Sequence, residues 1–304
     1  MASWQSHVIG HLLRKRLKPR LGSALASGDI EKIRKLMGHS AQAKARRGCS
    51  NKIEVIGGVS GEWSFVEGVA APVILYLHGG GYISASPGAY RGVTSTLANN
   101  GFRVFCPDYR LAPEAQFPLQ IEDALSVYRG LLERGIQPSQ LAIAGDSAGG
   151  NLALALCIKL REARLPQPSA LVLFSPCVDW SASGNSVQSN SARCCLYTKQ
   201  AILDVATMYL GDASPEDPLA SPLYASLEGL PPMLIHVGEN EVLLDDSLRL
   251  ADKAKQAGTE VEVRVWPTVP HVWQLSHRVI PEGRQSLEAG AIFLKLRMPA
   301  HSST

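Results

Sequence analysis

The sequence predicts an α/β fold with a mostly parallel central sheet flanked by helices. Three observations lead to this prediction. From about residue 72 onward, short apolar runs alternate with segments of helical character, which is the pattern of β-α-β units. The run 73–77 is continuously apolar, as expected of a strand buried on both faces of a sheet. Glycine-rich segments directly follow two of the apolar runs, where sheets of this kind bind ligands.

Length and composition limit the functions that the chain can have. With 304 residues, of which 45% are hydrophobic, one large core with an appended piece is more plausible than two equal domains. A net charge of +3 is too small to indicate a nucleic-acid-binding surface. No apolar run reaches the roughly 18 residues that span a bilayer, and the N-terminus lacks the order of a secretory signal. We therefore expect a cytoplasmic protein without stable membrane insertion.

The six cysteines do not indicate a metal site. They include no C-x-x-C pair and no His-Cys spacing that fits zinc, so reduced thiols and no bound metal are expected. Cys106 and Cys157 lie in apolar segments and are expected to pack in the core. Cys194 and Cys195 lie in a polar loop, where an oxidisable surface thiol is an open alternative.

Residues 1–48 are predicted to be a helical extension. The first helix combines apolar residues at helical spacing with a basic run: Trp4, Val8, Leu12, Leu13, Arg14, Lys15, Arg16 and Lys18. Pro19 is expected to interrupt it. A second helix is expected from Asp29, a suitable N-cap, to Met37, with Gly38 ending it.

Two interpretations of this extension are open. It can cover a functional site as a cap, or its basic amphipathic helix can rest on a membrane surface. We favour the cap because the apolar stripe is short. His7 and His11 lie one helical turn apart, but no acidic or cysteine ligand accompanies them, so solvated side chains are expected there.

The elements of the sheet follow in order. Alternating apolar residues separated by glycines predict a β-hairpin within 51–66. Strands are then expected at 73–77, 103–106, 141–144, 170–174, 233–237 and 261–265, and helices at 90–99, 118–133, 151–163, 245–256 and 283–296. Residues 181–225 break the alternation. We expect them to be an insertion into the main domain, 49–304, that packs with residues 1–48 as a second cap segment.

A serine surrounded by small residues follows the predicted strand 141–144. Gly145 and Gly149 stand two positions before and after Ser147, which is the G-x-S-x-G pattern of a nucleophile elbow. Such a turn places the hydroxyl above the end of a strand. The unpaired amides of the next helix can then face a developing oxyanion.

Three glycines follow the strand 73–77. Successive glycines cost conformational entropy on folding. We therefore expect a structural or functional reason for backbone without side chains at Gly79, Gly80 and Gly81. A simple flexible loop is the alternative. Together with the serine elbow, the run favours backbone amides that approach a reacting carbonyl group.

A histidine that could serve as base lies beyond the serine. His271 lies in a proline-bounded loop just past the predicted strand 261–265, where a reactive imidazole is expected. His236 lies inside a predicted strand and His277 within a possible helix, so both are weaker candidates. In this class of sheet the partners follow the chain order serine, acid, histidine.

The acid is expected in the loop after the strand 233–237. Glu241 is nearest the strand end. Asp245 and Asp246 suit the N-cap and first turn of the next helix, where negative charge is favourable without any catalytic role. Glu241 has no such explanation and is our prediction.

These motifs together resemble the microbial esterases of the hormone-sensitive lipase family over roughly residues 50–297. The resemblance is carried by His78-Gly79-Gly80-Gly81-Tyr82, Tyr109-Arg110-Leu111-Ala112-Pro113-Glu114, Gly145-Asp146-Ser147-Ala148-Gly149-Gly150 and the late Glu241 and His271. It implies the α/β-hydrolase fold with a helical cap. It also implies that Ser147 is the nucleophile, that His271 is the base, and that the amides of Gly80, Gly81 and Ala148 form the oxyanion hole.

The acid departs from the usual family pattern. Where the family usually has Asp-Pro-Leu, this chain has Glu241-Val242-Leu243. This fits the branch that uses glutamate, and Asp245 stays the alternative.

The expected function is that of a carboxylesterase acting on short- to medium-chain esters through a Ser-His-Glu triad and an acyl-enzyme. No cofactor is expected, and the partner is a small ester. An amidase or arylformamidase on the same scaffold is an alternative. A non-catalytic ligand-binding protein of the same fold is another, as in plant gibberellin receptors, which lack the working histidine. A homodimer is left open.

Overall fold

A single eight-stranded sheet forms the centre of the computed structural model, which describes residues 2–298. The strands are β1 (Ser50–Ile56), β2 (Val59–Phe65), β3 (Val73–Leu77), β4 (Arg103–Pro107), β5 (Leu141–Asp146), β6 (Leu171–Phe174), β7 (Met233–Gly238) and β8 (Val261–Trp266). Their order is β1-β2-β4-β3-β5-β6-β7-β8. The β1-β2 and β2-β4 pairs are antiparallel and every other pair is parallel. The predicted mostly parallel sheet is confirmed.

Helices cover both faces of this sheet. The α-helices of the described residues are α1 (Trp4–Leu12), α2 (Lys18–Ser27), α3 (Ile30–Leu36), α4 (Pro87–Asn99), α5 (Leu119–Glu133), α6 (Ala148–Glu162), α7 (Asn185–Ser189), α8 (Lys199–Leu210), α9 (Leu244–Gln256) and α10 (Pro281–Lys295). Apolar residues of α4 and α10 form one core with the sheet, and those of α5, α6 and α9 form the other. Both faces of the sheet are thereby buried, which explains why β3 and β5 are fully buried along their length.

The predicted interruption of the first helix at Pro19 is wrong, because the helix continues through the proline. After α1 the chain makes one π-helical turn, Leu13–Leu17, and continues directly into α2. Pro19 is the second residue of α2, directly after this π-helical turn. The second predicted helix has the expected ends, since the Asp29 side chain accepts from the Lys32 amide at 3.0 Å and Gly38 has a φ of +70°.

The N-terminal helices pack against the segment inserted after β6. Leu21, Leu25 and Ile33 are buried in the core that also contains the apolar face of α8, and α2 contacts α8 directly. The Lys18 ammonium group donates to the carbonyl oxygens of Ser191 and Cys194, at 2.5 and 2.8 Å. These contacts join two segments that are more than 170 residues apart in the chain.

The cysteines of this inserted segment are not surface thiols. Cys194 and Cys195 are 2% and 6% exposed, because the N-terminal helices cover a loop that its polar composition had placed at the surface. Cys106 and Cys157 are buried as predicted. Within the described residues, all six cysteines carry free thiols.

No helix within residues 2–298 combines the length and the apolar character that crossing a bilayer requires. The last six residues of the predicted main domain, 299–304, lie outside the described range.

Candidate active site

Ser147 occupies a sharp turn between β5 and α6. Its backbone has φ +53° and ψ −120°, a conformation that residues with a side chain rarely adopt. The positions on both sides of it require glycine because other backbone atoms approach them closely. A Cβ atom on Gly145 would lie 2.4 Å from the Gly149 carbonyl oxygen, and one on Gly149 would lie 2.0 Å from that of Leu77. The predicted elbow is present, and it is pressed against the end of β3.

The imidazole of His271 reaches the serine from the loop after β8. Its Nε2 lies 3.1 Å from Ser147 Oγ, and its side chain is 4% exposed. The competing histidines are elsewhere. His236 is buried in β7 beside Ser286, and burial lowers its pKa to about 3. His277 pairs with Thr96 at 3.1 Å. Of these three histidines, only His271 contacts Ser147.

Glu241 contacts the other ring nitrogen of His271. Its Oε2 pairs with His271 Nδ1, and its side chain is 2% exposed. The second carboxylate oxygen accepts from the Ser175 hydroxyl at 2.7 Å and from the Gly238 amide at 2.6 Å. This buried carboxylate is therefore held by three donors and oriented toward the imidazole.

The two nearby aspartates have structural partners instead. Asp245 Oδ2 accepts from the Ser186 amide at 2.9 Å, and the Ser186 hydroxyl accepts from the Asp245 amide at the same distance. Asp246 Oδ2 accepts from the amides of Val178 and Asp179. Both lie in the first turn of α9, as expected, although the N-cap position itself is taken by Leu243.

The glycine loop after β3 presents bare backbone to the serine. Gly80 has φ +111°, and a Cβ atom there would lie 2.3 Å from the Ser84 carbonyl oxygen. Gly81 has φ +65°, and its Cβ would lie 2.9 Å from the Val205 side chain. Within residues 2–298, the amides of Gly80, Gly81 and Ala148 have no protein acceptor. Both glycines line cavities that Ser147 also lines.

A buried carboxylate joins this loop to the serine. Asp146 accepts from the hydroxyls of Tyr76 and Tyr90, at 3.0 and 2.8 Å, and from the Gly79 amide at 3.2 Å. Burial raises the pKa of Asp146 to about 6, and the hydrogen bonds from the two tyrosines oppose that rise.

The first residue of the glycine motif has a structural role. The His78 ring is buried and stacks on the Tyr109 ring with centroids 4.2 Å apart. The Tyr109 hydroxyl donates to the His78 carbonyl oxygen at 2.6 Å. Burial lowers the pKa of His78 to about 4, so its ring is neutral at pH 7. The segment that begins at Tyr109 thus supports the start of the glycine loop.

Two cavities meet at Ser147. The wider one, about 340 Å³, is lined on one side by the N-terminal residues Leu13, Leu17 and Met37 and on the other by His271. The narrow one holds only about 20 Å³ and is lined mainly by apolar side chains: Cys177, Trp180, Tyr197, Ile202, Val205 and Leu243. A molecule bound at Ser147 thus has unequal space on its two sides.

Several residues of the site were not predicted from the sequence. Ser175 holds Glu241, Cys195 Sγ accepts from the His271 amide at 3.3 Å, and the Tyr197 ring lies edge-on to the imidazole with centroids 5.3 Å apart. Of these three residues, only Ser175 could have been found from the sequence, because it directly follows a buried strand at the edge of the sheet where Ser147 lies. The other two belong to the inserted segment, whose position depends on tertiary packing.

Comparison with known proteins agrees with this architecture. Residues 74–275 match the alpha/beta hydrolase fold family. The chain is 39% identical to an acetyl-hydrolase of Streptomyces hygroscopicus over 271 residues, covering 88% of this chain and 91% of that protein. It is 37% identical to an esterase of Acinetobacter venetianus over 234 residues, covering 76% and 77% of the two chains.

A solved structure extends the likeness to three dimensions. The crystal structure of an esterase from the bacterial hormone-sensitive lipase family superposes with a TM-score of 0.85 at 37% identity, covering 94% of this chain and 98% of that chain. These relatives are named as esterases and an acetyl-hydrolase, so the amidase and binding-protein alternatives are not favoured. The chain belongs to the alpha/beta hydrolase family, in the group that includes the esterases similar to hormone-sensitive lipase.

Proposed function

We propose that this protein is a carboxylesterase in which Ser147 is the nucleophile, His271 the general base and Glu241 the triad acid. The observation that carries the proposal is the position of His271, with Nε2 3.1 Å from Ser147 Oγ and Nδ1 paired with Glu241. A base between a hydroxyl and a buried carboxylate is the arrangement that activates a serine in neutral water.

The proposed reaction has two steps. His271 takes the proton of Ser147 Oγ as this oxygen attacks the ester carbonyl carbon, and then gives the proton to the leaving alcohol. Water attacks the acyl carbon of the resulting acyl-enzyme as His271 takes its proton, and His271 then gives this proton to Ser147 Oγ as the acyl–Oγ bond breaks and the carboxylic acid leaves. The amides of Gly80, Gly81 and Ala148 are proposed to stabilise the oxyanion of both tetrahedral intermediates. Glu241 stabilises the imidazolium ion that forms in each step.

We further propose short- to medium-chain acyl groups as substrates. The narrow cleft between Gly81 and Trp180 is suited to a small acyl chain, because its walls are mainly apolar and it offers much less room than the wide cavity. The wider cavity would take the alcohol portion and give it a route out. Residues 1–48 and 181–225 act as a two-part cap in this proposal, since the first segment lines the wide cavity and the second the narrow one.

The experiment is turnover of p-nitrophenyl esters by the intact chain and by Ser147→Ala. We expect hydrolysis of the acetate and butyrate esters by the wild type, weaker hydrolysis as the acyl chain lengthens, and no turnover above background by the variant. Circular dichroism spectra should be the same for both proteins. Turnover retained in Ser147→Ala would overturn the nucleophile assignment, and a flat chain-length profile would overturn the role of the narrow cleft.

A further inference from the structure

The outer face of the first helix is apolar and exposed. Trp4, Val8 and Leu12 lie at i, i+4 and i+8 on α1 and are 71%, 47% and 44% exposed. Side chains at this spacing share one face of a helix. By contrast, Leu21 and Leu25 on the next helix, α2, are buried. The stripe on α1 therefore stays in contact with water although the apolar face of α2 does not.

The first 28 residues carry charge of one sign, and the Glu282 carboxylate that contacts Ser3 and Ser6 at the start of α1 is buried. No acidic residue precedes Asp29, whereas five basic residues lie between positions 14 and 20: Arg14, Lys15, Arg16, Lys18 and Arg20. Two of them donate hydrogen bonds to the inserted segment. Arg14 donates to the carbonyl oxygen of Arg193. Lys18 donates to the carbonyl oxygens of Ser191 and Cys194. Lys15, Arg16 and Arg20 are exposed. Three cationic groups therefore face solvent next to the apolar stripe.

The opposite face of the same helical stretch belongs to the active-site cavity. Leu13 and Leu17, the first and last residues of the π-helical turn, line the wide cavity that contains Ser147. Ile9 packs against the small core formed by Val269, Trp273 and Ile280, near the loop that carries His271. The exposed stripe thus lies on the outside of the wall that closes the cavity.

We propose that the outer face of α1, with the basic residues that follow it, docks the protein on an anionic lipid surface. Trp and small aliphatic side chains enter the boundary between headgroups and acyl chains, and lysine and arginine bind anionic headgroups, which is the chemistry of interfacial amphipathic helices. This orientation brings the wall of the cavity that contains Ser147 to the lipid, and, on the basis of the proposed esterase function, apolar esters would reach the cavity from there over Leu13 and Leu17.

A second copy of the chain is the competing occupant of this face. In a symmetric dimer the same patch meets itself, so Lys15, Arg16 and Arg20 of both copies would enter one interface that holds no acidic partner from either helix. The charge pattern therefore favours an anionic surface over self-association.

The test measures partitioning of the full chain onto unilamellar vesicles by cosedimentation, with phosphatidylcholine alone or mixed with phosphatidylglycerol. We expect binding to the anionic vesicles that weakens as salt is raised, and much weaker binding to phosphatidylcholine. Trp4→Ser with Val8→Ser should lower partitioning about tenfold or more. Lys15→Ala with Arg16→Ala should lower it roughly 25-fold, since each basic residue near such a surface contributes about fivefold.

Matched controls come from exposed residues of other helices. Ile292 and Leu296 are 60% and 77% exposed, so Ile292→Ser with Leu296→Ser removes similar apolar surface elsewhere and should leave partitioning unchanged. Lys255→Ala with Lys295→Ala is the control for charge. All four variants should hydrolyse dissolved p-nitrophenyl acetate as the wild type does.

Three outcomes would overturn the proposal. They are absence of wild-type binding to anionic vesicles at low salt, equal losses in the α1 variants and their controls, and a dimer in light scattering that Trp4→Ser with Val8→Ser dissociates. Partitioning is measured without turnover, so these results are independent of whether the protein is an esterase.

Discussion

The backbone amide of Gly79 donates a hydrogen bond to Asp146 Oδ1 at 3.2 Å, which ties the glycine loop to the residue immediately before Ser147. The same amide lies 3.0 Å from the Tyr90 hydroxyl, which itself donates to Asp146 Oδ2. One buried carboxylate therefore sets the distance between the proposed nucleophile and the proposed oxyanion donors.

Replacing this carboxylate should slow catalysis without unfolding the protein. Asp146→Asn keeps one oxygen acceptor but gives up one of the two that hold Gly79, Tyr76 and Tyr90. We expect kcat to fall roughly 10- to 100-fold, with a smaller change in KM, because a misplaced donor weakens transition-state binding more than substrate binding. Steady-state kinetics measure this, and unchanged near-UV circular dichroism is the control. A kcat equal to that of the wild type would contradict the positioning role of Asp146.

The choice of triad acid is tested by a pair of matched substitutions. Glu241→Gln leaves a side chain of the same size but removes the charge that stabilises the imidazolium, so kcat should fall by about 10³- to 10⁴-fold. Asp245→Asn alters a carboxylate four residues later that contacts Ser186 and not the imidazole, and it should change kcat by less than about threefold. The reverse ranking in kcat would identify Asp245 as the acid.

The glycine loop should not tolerate a side chain. At Gly80, with φ +111° and the Ser84 carbonyl oxygen 2.3 Å from the Cβ position, alanine has to displace the loop. Gly80→Ala should lower kcat by about 100-fold or more, which is the typical cost of losing one oxyanion donor. Gly22→Ala is the control, because a Cβ atom there meets nothing within 4 Å and α2 gains up to about 1 kcal/mol in helix propensity. Equal activity of the two variants would contradict the proposed role of the loop.

The stability of the protein should depend on pH through Asp246. Burial, with the Asp179 carboxylate nearby, raises the pKa of Asp246 from 3.8 to about 8, against the effects of two amide donors and Arg249. The folded protein therefore holds a proton that the unfolded chain releases in this range. Stability should fall as pH rises from about 4 to about 8, by at most about 1.4 kcal/mol per pH unit from this group.

Denaturant titrations at several pH values measure this dependence. Asp246→Asn keeps an oxygen acceptor for the amides of Val178 and Asp179 and cannot ionise, so its stability should fall less between pH 5 and pH 8 than that of the wild type. Asp252→Asn, on the exposed side of the same helix, is the control and should keep the wild-type profile. Parallel profiles for all three proteins would mean that Asp246 does not carry the pH dependence.

Much of the fold could be predicted because local patterns and tertiary structure agree. The apolar run of β3, the glycines on both sides of Ser147 and the proline-bounded loop of His271 each specify their own conformation. The position of His271 beside Ser147 then follows from topology, because β5 and β8 end at the same edge of a parallel sheet.

The rest could not be predicted because it depends on contacts between distant segments. The loop with Cys194 and Cys195 is polar, and its burial comes from α2, which lies about 170 residues earlier and reaches it through Lys18. Asp146 was likewise recognised as part of the motif around Ser147. Its hydrogen bonds from Tyr76 and Tyr90 could not be predicted, because they form only when β3, α4 and β5 are packed together. Pro19 suggested a break because the sequence does not reveal a π-helical turn before it.

The central claim is that His271 makes Ser147 the reactive nucleophile. Intact-protein and peptide mass spectrometry after exposure to a fluorophosphonate test it most directly, because the reagent bonds covalently to an activated serine. We predict one adduct per chain, located on Ser147, that is absent in Ser147→Ala and forms at least about 100-fold more slowly in His271→Ala. An adduct on another residue, or one that forms on Ser147 at the wild-type rate without the imidazole, would contradict the account.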